Sequence, residues 1–259
     1  GSVKVIGRQG VGYDNIGLEF LNPNGIFGFN VPDYCVDEVS THTLSLLLAL
    51  ERHVCLQNDH LKKGHWDIYD GGYPRRLRGL TAGIIGLGRI GKATAQKLRA
   101  FYGTVIAYDP FVHGDNMIGY GVAKRHSLPD LLAEADAVIL HCLLTDETRN
   151  LVGPGFLNEM KRDALLLNPA RGGLVDPRAV YQALASGRIG GYGSDVFTPE
   201  DPNDDEWNRK LLPFENVVVT SHRAFLSAES ELSQRRRVAE ELLYVLETGC
   251  PPRWGNLTD

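Results

Sequence analysis

Three side chains of complementary chemistry stand in the second half of the chain. Arg171 follows Asn168-Pro169-Ala170, Glu200 follows Asp195-Val196-Phe197-Thr198-Pro199, and His222 follows Val219-Thr220-Ser221. A guanidinium holds a carboxylate in a two-point fork and polarises a neighbouring carbonyl. An imidazole exchanges the proton that accompanies a hydride, and a carboxylate at its other nitrogen would fix the tautomer and raise the pKa. Together they are the set an oxidoreductase acting on hydroxy acids needs. Each also has a plainer reading. Arg171 can cap a turn, Glu200 sits in an acidic stretch with Asp201, Asp204, Asp205 and Glu206, and a lone histidine is usually structural.

A second constellation precedes them, Gly86-Leu87-Gly88-Arg89-Ile90-Gly91, between the apolar run Gly83–Ile85 and an amphipathic stretch. The first glycine permits a tight turn, the second lets backbone approach a pyrophosphate, and the third lets helix pack on strand. The helix N-terminus then offers amide donors and positive dipole to the phosphates. The next apolar run ends at Tyr108-Asp109-Pro110, which puts an acid roughly 20 residues on, where it can grip a ribose 2′-hydroxyl. Asp109 would repel a 2′-phosphate, so the expected cofactor is NAD.

The elements that must carry these residues read as α/β. The runs Gly83–Ile85, Thr104–Tyr108, Ala137–Leu140, Ala164–Leu167 and Val217–Val219 are continuously apolar, as strands covered on both faces are. Helices are expected between them, among them Arg89–Phe101 (with Ile90, Ala93, Leu98 and Phe101 on one side) and Pro177–Ser186. The βαβα order implies a Rossmann-type doubly wound parallel sheet. Val3–Arg8 and Ile26–Val31 read as two further strands, and a strongly apolar helix over Val36–His53 as one buried against another domain or subunit. Lys62–Arg78 reads as an irregular arm. A last helix over Ala228–Leu246 ends near Gly249, with Pro251-Pro252 barring its continuation.

Composition narrows the function classes. The chain has 259 residues, 43% hydrophobic and 23% charged, which sets aside disordered and fibrous readings. With 27 basic and 32 acidic residues the net charge is −5, giving no reason to expect nucleic acid or an anionic membrane as partner. Cys35, Cys55, Cys142 and Cys250 form no CxxC pair, so a reducing cytoplasm is the expected location. The longest apolar run, near Leu44–Leu50, is far short of the roughly 20 residues that span a bilayer. Gly1-Ser2 reads as a tag scar or native sequence. His42, His53, His60, His65, His113 and His126 show no metal-ligand spacing, so solvated or core roles and no metal are expected. Cys142 follows a strand and is not expected to be a nucleophile. The Arg235–Arg237 run reads as a salt-laced helix face beside Glu229, Glu231, Glu240 and Glu241.

The ordered motifs Arg8–Asn15, Asn30-Val31-Pro32, Gly86–Gly91, Tyr108-Asp109-Pro110, His141–Thr145, Asn168–Asp176, Ser194–Phe197 and Ser221-His222 resemble the D-isomer-specific 2-hydroxyacid dehydrogenase family over nearly the whole chain. The resemblance implies Arg171 as substrate anchor, His222 as acid/base and Glu200 as its partner. It places Gly86, Gly88, Arg89, Ile90 and Gly91 at the pyrophosphate and Asp109 at the adenosine ribose. Cys142, Leu143, Thr148, Pro169 and Ala170 would line the cofactor cleft, Asp195 would bind the nicotinamide carboxamide, and Val11 would face nicotinamide and substrate. It further implies a small 2-hydroxy or 2-oxo acid as substrate and a homodimer built on the Val36–His53 helix and the Lys62–Arg78 arm.

Three departures stand out. Ser221 replaces a proline common in the family, and the following Phe225 is bulky, as in D-lactate-type members, making it a candidate wall of the substrate pocket. The acidic insertion Asp201–Arg209 looks long. Early elements of the family's flavodoxin-like substrate domain are not found before Val3, so residues 1–32 and 226–259 are expected to be parts of that domain around an NAD-binding domain of residues 33–225. On that view the chain should bind NAD better than it turns over substrate. The alternative function on the same fold is an NAD(H)-responsive binding protein of the corepressor type.

Overall fold

The computed structural model describes the backbone of residues 3–258 and all of their side chains except those of Asp115 and Asn116. The Gly1-Ser2 pair lies outside the described residues. The chain divides into two compact units, Val39–Ala224 and a smaller one made of residues up to Glu38 together with those from Phe225 onward.

In the smaller unit, strands β1 (Val5–Gly7) and β2 (Phe27–Phe29) pair in parallel. The helix Ala228–Thr248 contributes Val238 and Leu242 to a small core with Phe29 and Val31. Its start is closed reciprocally, because Ser230 N donates to Ser227 Oγ at 2.9 Å and Ser227 N to Ser230 Oγ at 3.0 Å. Its end is capped by Gly249 at φ 68°, a conformation that glycine adopts without a Cβ penalty. Of the basic run, Arg235 and Arg236 pair with Glu231 and Glu240 on the helix surface, whereas Arg237 reaches Asp33. Glu241 is buried and taken up by Arg253.

In the larger unit, seven strands form one parallel sheet: β3 (Thr81–Ile85), β4 (Thr104–Tyr108), β5 (Ala123–Lys124), β6 (Ala137–Leu140), β7 (Leu165–Asn168), β8 (Gly191–Ser194) and β9 (Val217–Val219). Their order is β5-β4-β3-β6-β7-β8-β9. The order reverses between β3 and β6, and the crevice at such a switch point, outside the carboxyl ends of the strands, is where open α/β sheets place ligands. Core side chains cover both faces, with Ile84, Ala107, Ile139 and Leu167 in one layer and Ile85, Ile106, Val138, Leu140 and Leu166 in the other.

Several boundaries differ from expectation for local reasons. β8 was not apparent as a strand because its Gly191 and Gly193 are poor strand formers. Both are needed small, since a Cβ on Gly193 would stand 3.2 Å from Leu50 Cδ1 and one on Gly191 3.1 Å from Leu165 Cδ2. Asp195–Pro199, read as the run before Glu200, is loop beyond that strand. The apolar helix ends at Glu51, the chain turns at His53 in the left-handed region (φ 53°), and a second helix runs Val54–Lys62. Leu44, Leu47 and Leu50 of the first helix pack in the core with sheet residues such as Ile84 and Leu167. The helix after the glycine turn stops at Leu98 and buries Gly91, Thr94, Ala95 and Leu98, one step round from the face expected, while Phe101 is exposed. No helix of the described residues is long and apolar enough to cross a membrane.

Candidate active site

At the end of β3 the chain turns at Gly86, whose φ of 92° disfavours any L side chain. A Cβ there would also lie 2.6 Å from Cys142 N, so the glycine lets this turn press on the end of β6. Asp109, at the tip of β4, fixes the turn from the other side by accepting Leu87 N at 2.7 Å through Oδ2 and Phe111 N at 2.9 Å through Oδ1. The helix Arg89–Leu98 then starts at Gly88 with no side-chain cap. Its first amides thus have no partner from the cap residue. A Cβ at Gly88 would meet no described atom within 4 Å, whereas one at Gly91 would collide with the Gly86 carbonyl. Open space at the second glycine and close helix–strand packing at the third are what a diphosphate cradle requires.

Beyond β6, Cys142 is largely buried, which pushes its thiol up to about 11. Burial also pushes His141 down to about 3, leaving a neutral ring whose Nε2 lies 2.9 Å from Thr94 Oγ1. Thr148 closes the turn that exposes Leu143, donating to Leu143 O at 2.6 Å and accepting Thr145 N at 2.8 Å.

The loop after β7 is built by the buried Asn168, whose Nδ2 donates to Arg171 O at 2.8 Å and whose Oδ1 accepts Ala170 N at 3.2 Å. Arg171, beyond Pro169, donates from Nη1 to Ala170 O at 2.8 Å. A Cβ on the next residue, Gly172, would overlap the Phe197 carbonyl, so this loop lies directly on the segment leading to Glu200. The acidic insertion supports that segment. Asp205 caps the helix Glu206–Leu211 by accepting Trp207 N and Asn208 N, and Asn208 Nδ2 donates to Thr198 O at 3.1 Å.

Glu200 and His222 meet directly, with both carboxylate oxygens within reach of Nδ1 at 2.9 and 3.1 Å. With Nδ1–H donated to Glu200, Nε2 is the nitrogen that gains or loses the proton. His222 stands in the left-handed region (φ 52°), a strained position for a residue with a Cβ. Asp195 holds it there. Its backbone oxygen accepts His222 N at 2.7 Å, Oδ1 accepts Arg223 N at 2.9 Å, and Oδ2 accepts Ala224 N at 2.8 Å. Thr220 Oγ1 also donates to Asp195 Oδ1 at 2.5 Å, which uses the one hydroxyl proton. His42 Nε2, 2.8 Å from the same hydroxyl oxygen, is therefore the donor of that pair. Burial lowers the His42 pKa, against the opposing pull of Asp195. Asp195 is only 1% exposed, and both of its carboxylate oxygens accept hydrogen bonds from the segment around His222.

The structure thus brings Arg171, Glu200 and His222 to the carboxyl ends of β7, β8 and β9, and Gly86–Gly91, Asp109, Cys142 and Leu143 to the switch point. Sequence reasoning set His42 aside as a solvated or core residue and gave no role to Thr220 or Asn208, whose partners are not adjacent in the chain. Phe225 belongs to the smaller unit, its ring centroid 6.3 Å from that of Tyr34.

Comparison with known proteins gives a consistent picture. Residues 44–224 match the family described as D-isomer specific 2-hydroxyacid dehydrogenase, NAD binding domain. The chain is 36% identical over 249 residues to a D-3-phosphoglycerate dehydrogenase of Methanocaldococcus jannaschii, covering 94% of this chain and 46% of the relative. It is 35% identical over 260 residues to a glyoxylate reductase of Korarchaeum cryptofilum, covering 98% and 76%. Among solved structures, a D-lactate dehydrogenase from Aquifex aeolicus complexed with NAD and lactic acid superposes with a TM-score of 0.87 at 31% identity, over 95% of this chain and 77% of that one. The chain spans about half the length of the phosphoglycerate dehydrogenases it matches.

Proposed function

The chain belongs to the D-isomer-specific 2-hydroxyacid dehydrogenase family, and from that premise we propose that it binds NAD(H) and interconverts a D-2-hydroxy acid and a 2-oxo acid. The observation that carries the reading is the Glu200–His222 pair, 2.9 Å apart, at the sheet edge that also presents Arg171. Bound NAD(H) would supply or take up the hydride at the substrate's C2.

Gly86, Gly88 and Gly91, with the amides of Arg89 and Ile90, form the diphosphate cradle, and the space open at Gly88 supports that fit. Asp109 retains lone pairs for a ribose hydroxyl beyond those given to Leu87 N and Phe111 N. Cys142, Leu143, Thr148, Pro169 and Ala170 shape the walls. Arg171 holds the substrate carboxylate and polarises the C2 carbonyl. In reduction, protonated His222 gives its Nε2 proton to the oxygen at C2 as the carbonyl becomes a hydroxyl. In oxidation the neutral ring takes that proton back. Glu200 keeps the ring oriented throughout, and Asp195 positions its backbone.

A homodimer and a cytoplasmic location complete the proposal. Trp66, Ile68, Tyr69 and Tyr73 of the arm are exposed, and beside them Glu51, Leu56, Tyr73 and Arg75 line a groove of about 310 Å³. All four cysteines are unbridged, which fits a reducing compartment.

The test is an NADH-oxidation assay with a panel of 2-oxo acids, including glyoxylate, hydroxypyruvate and pyruvate, on this chain and on the full-length protein. Turnover that collapses in His222→Ala while NADH binding stays near wild type is the expected result. NADH binding without turnover of any acid by the full-length protein would overturn the enzyme reading in favour of an NAD(H)-responsive binding protein.

A further inference from the structure

Among the described residues, one group outside this site brings metal-ligating side chains together: His60, His65 and Asp70. None lies at a spacing that marks a metal motif, and the assembly arises from the fold of the arm. His60 stands in the last turn of the helix Val54–Lys62, and His65 N donates back to His60 O at 2.9 Å, which folds the chain so that the two rings meet edge to face at 5.6 Å. Gln57 then secures the returning segment of the arm, donating from Nε2 to the backbone oxygens of Asp67 and Asp70 at 3.2 and 3.0 Å.

The outcome is convergence on one oxygen. His60 Nδ1 and His65 Nε2 stand 2.8 and 3.1 Å from Asp70 Oδ2. Ligand atoms about 2.0–2.1 Å from a tetrahedral ion are about 3.3–3.4 Å from one another, so two edges of the set need to open by only a few tenths of an ångström. The far side of His60 supplies an independent sign. Its Nε2 lies 3.4 Å from Glu215 Oε1, and a carboxylate behind a ligating imidazole is the outer partner that fixes the tautomer of metal-bound histidines. Two imidazoles and one carboxylate form a donor set suited to zinc-class ions and poorly suited to magnesium or calcium.

We propose that His60, His65 and Asp70 form a binding site for a divalent transition ion of the zinc class, with Glu215 orienting His60 and solvent completing the coordination. The ion would fasten the arm to the helix Val54–Lys62 and takes no part in the hydride chemistry.

The test is calorimetric titration of the tag-free, chelator-stripped chain with Zn²⁺. One ion per chain with micromolar or tighter affinity is expected, weakened at least tenfold in His65→Ala and in Asp70→Asn, and to a smaller extent in Glu215→Gln. His65 is 58% exposed, so its removal leaves the fold intact, and unchanged thermal denaturation in the presence of chelator checks this. Cys55 and Cys250 are exposed thiols, and a Cys55→Ser, Cys250→Ser variant should bind as the parent does. Absent stoichiometric binding, binding that survives both His65→Ala and Asp70→Asn, or binding lost with the thiols would each overturn the proposal.

Discussion

Alanine in place of each glycine of the Gly86–Gly91 turn separates cofactor binding from folding. Gly88 has φ −72° and ψ −161°, a backbone that alanine adopts without strain, and an added Cβ meets no described atom within 4 Å. Gly88→Ala should therefore cost no more than about 1 kcal/mol, the difference between glycine and alanine at a helix N-cap. Its methyl nevertheless fills the space a diphosphate must enter. Losing one charge-assisted hydrogen bond there is worth about 1.5–3 kcal/mol, which weakens NADH binding by about tenfold or more. Gly91→Ala is the converse. Its Cβ would collide with the Gly86 carbonyl and also touch Ile84 Cγ2 at 3.6 Å, so the helix must lift from β3 at an overpacking cost of about 1–3 kcal/mol or more. Gly86→Ala adds a left-handed penalty of about 1–2 kcal/mol to a Cβ contact of 2.6 Å with Cys142 N. Urea denaturation without cofactor and fluorescence titration with NADH distinguish these effects. Gly88→Ala should stay near the parent midpoint and lose NADH affinity, while Gly91→Ala and Gly86→Ala lower the midpoint further. A Gly88→Ala chain that binds NADH like the parent, or a Gly91→Ala chain as stable as the parent, refutes the reasoning.

Three further outcomes follow from contacts and exposure elsewhere in the chain. Asp195→Asn retains one acceptor oxygen for the donors of Thr220, Arg223 and Ala224, so kcat should fall by about tenfold or more, through the loss of one hydrogen bond to a charged group, with the Kd for NADH little changed. The reverse pattern would show that Asp195 acts on the cofactor instead. Arg75→Ala leaves Glu51, whose side chain is 2% exposed, with the Tyr102 hydroxyl but without its cation; denaturation should show a loss of about 3 kcal/mol, largely recovered in the Arg75→Ala, Glu51→Gln double variant. At pH 8 a thiol whose pKa is about 11 is only ~0.1% thiolate, so iodoacetamide followed by peptide mapping should label the exposed Cys55 and Cys250 and spare Cys142 in the native chain.

How far the sequence alone leads depends on whether a feature is local. The runs that became β3, β4, β6, β7 and β9 were legible because strands covered on both faces must be apolar throughout. β8 was not, because the demand on Gly191 comes from Asn216 and Leu165 and that on Gly193 from Leu50, all far away in the chain. The break at His53 carried no glycine or proline to mark it. The same division runs through the candidate site. Gly86–Gly91 and Asp109 could be nominated together because the glycine turn expected to bind phosphate is one contiguous unit with a fixed spacing to its acid. Arg171, Glu200 and His222 could be nominated by type, but only the fold sets Glu200 against Nδ1 of His222. Asp195, with Thr220 and His42 behind it, emerges as the support of that histidine. The left-handed backbone at His222 is accompanied by four contacts to Asp195, one through its backbone and three through its carboxylate. The proposed chemistry at His222 would therefore depend on residues such as Asp195, Thr220 and His42, whose types look unremarkable in sequence and which hold one strained imidazole in place.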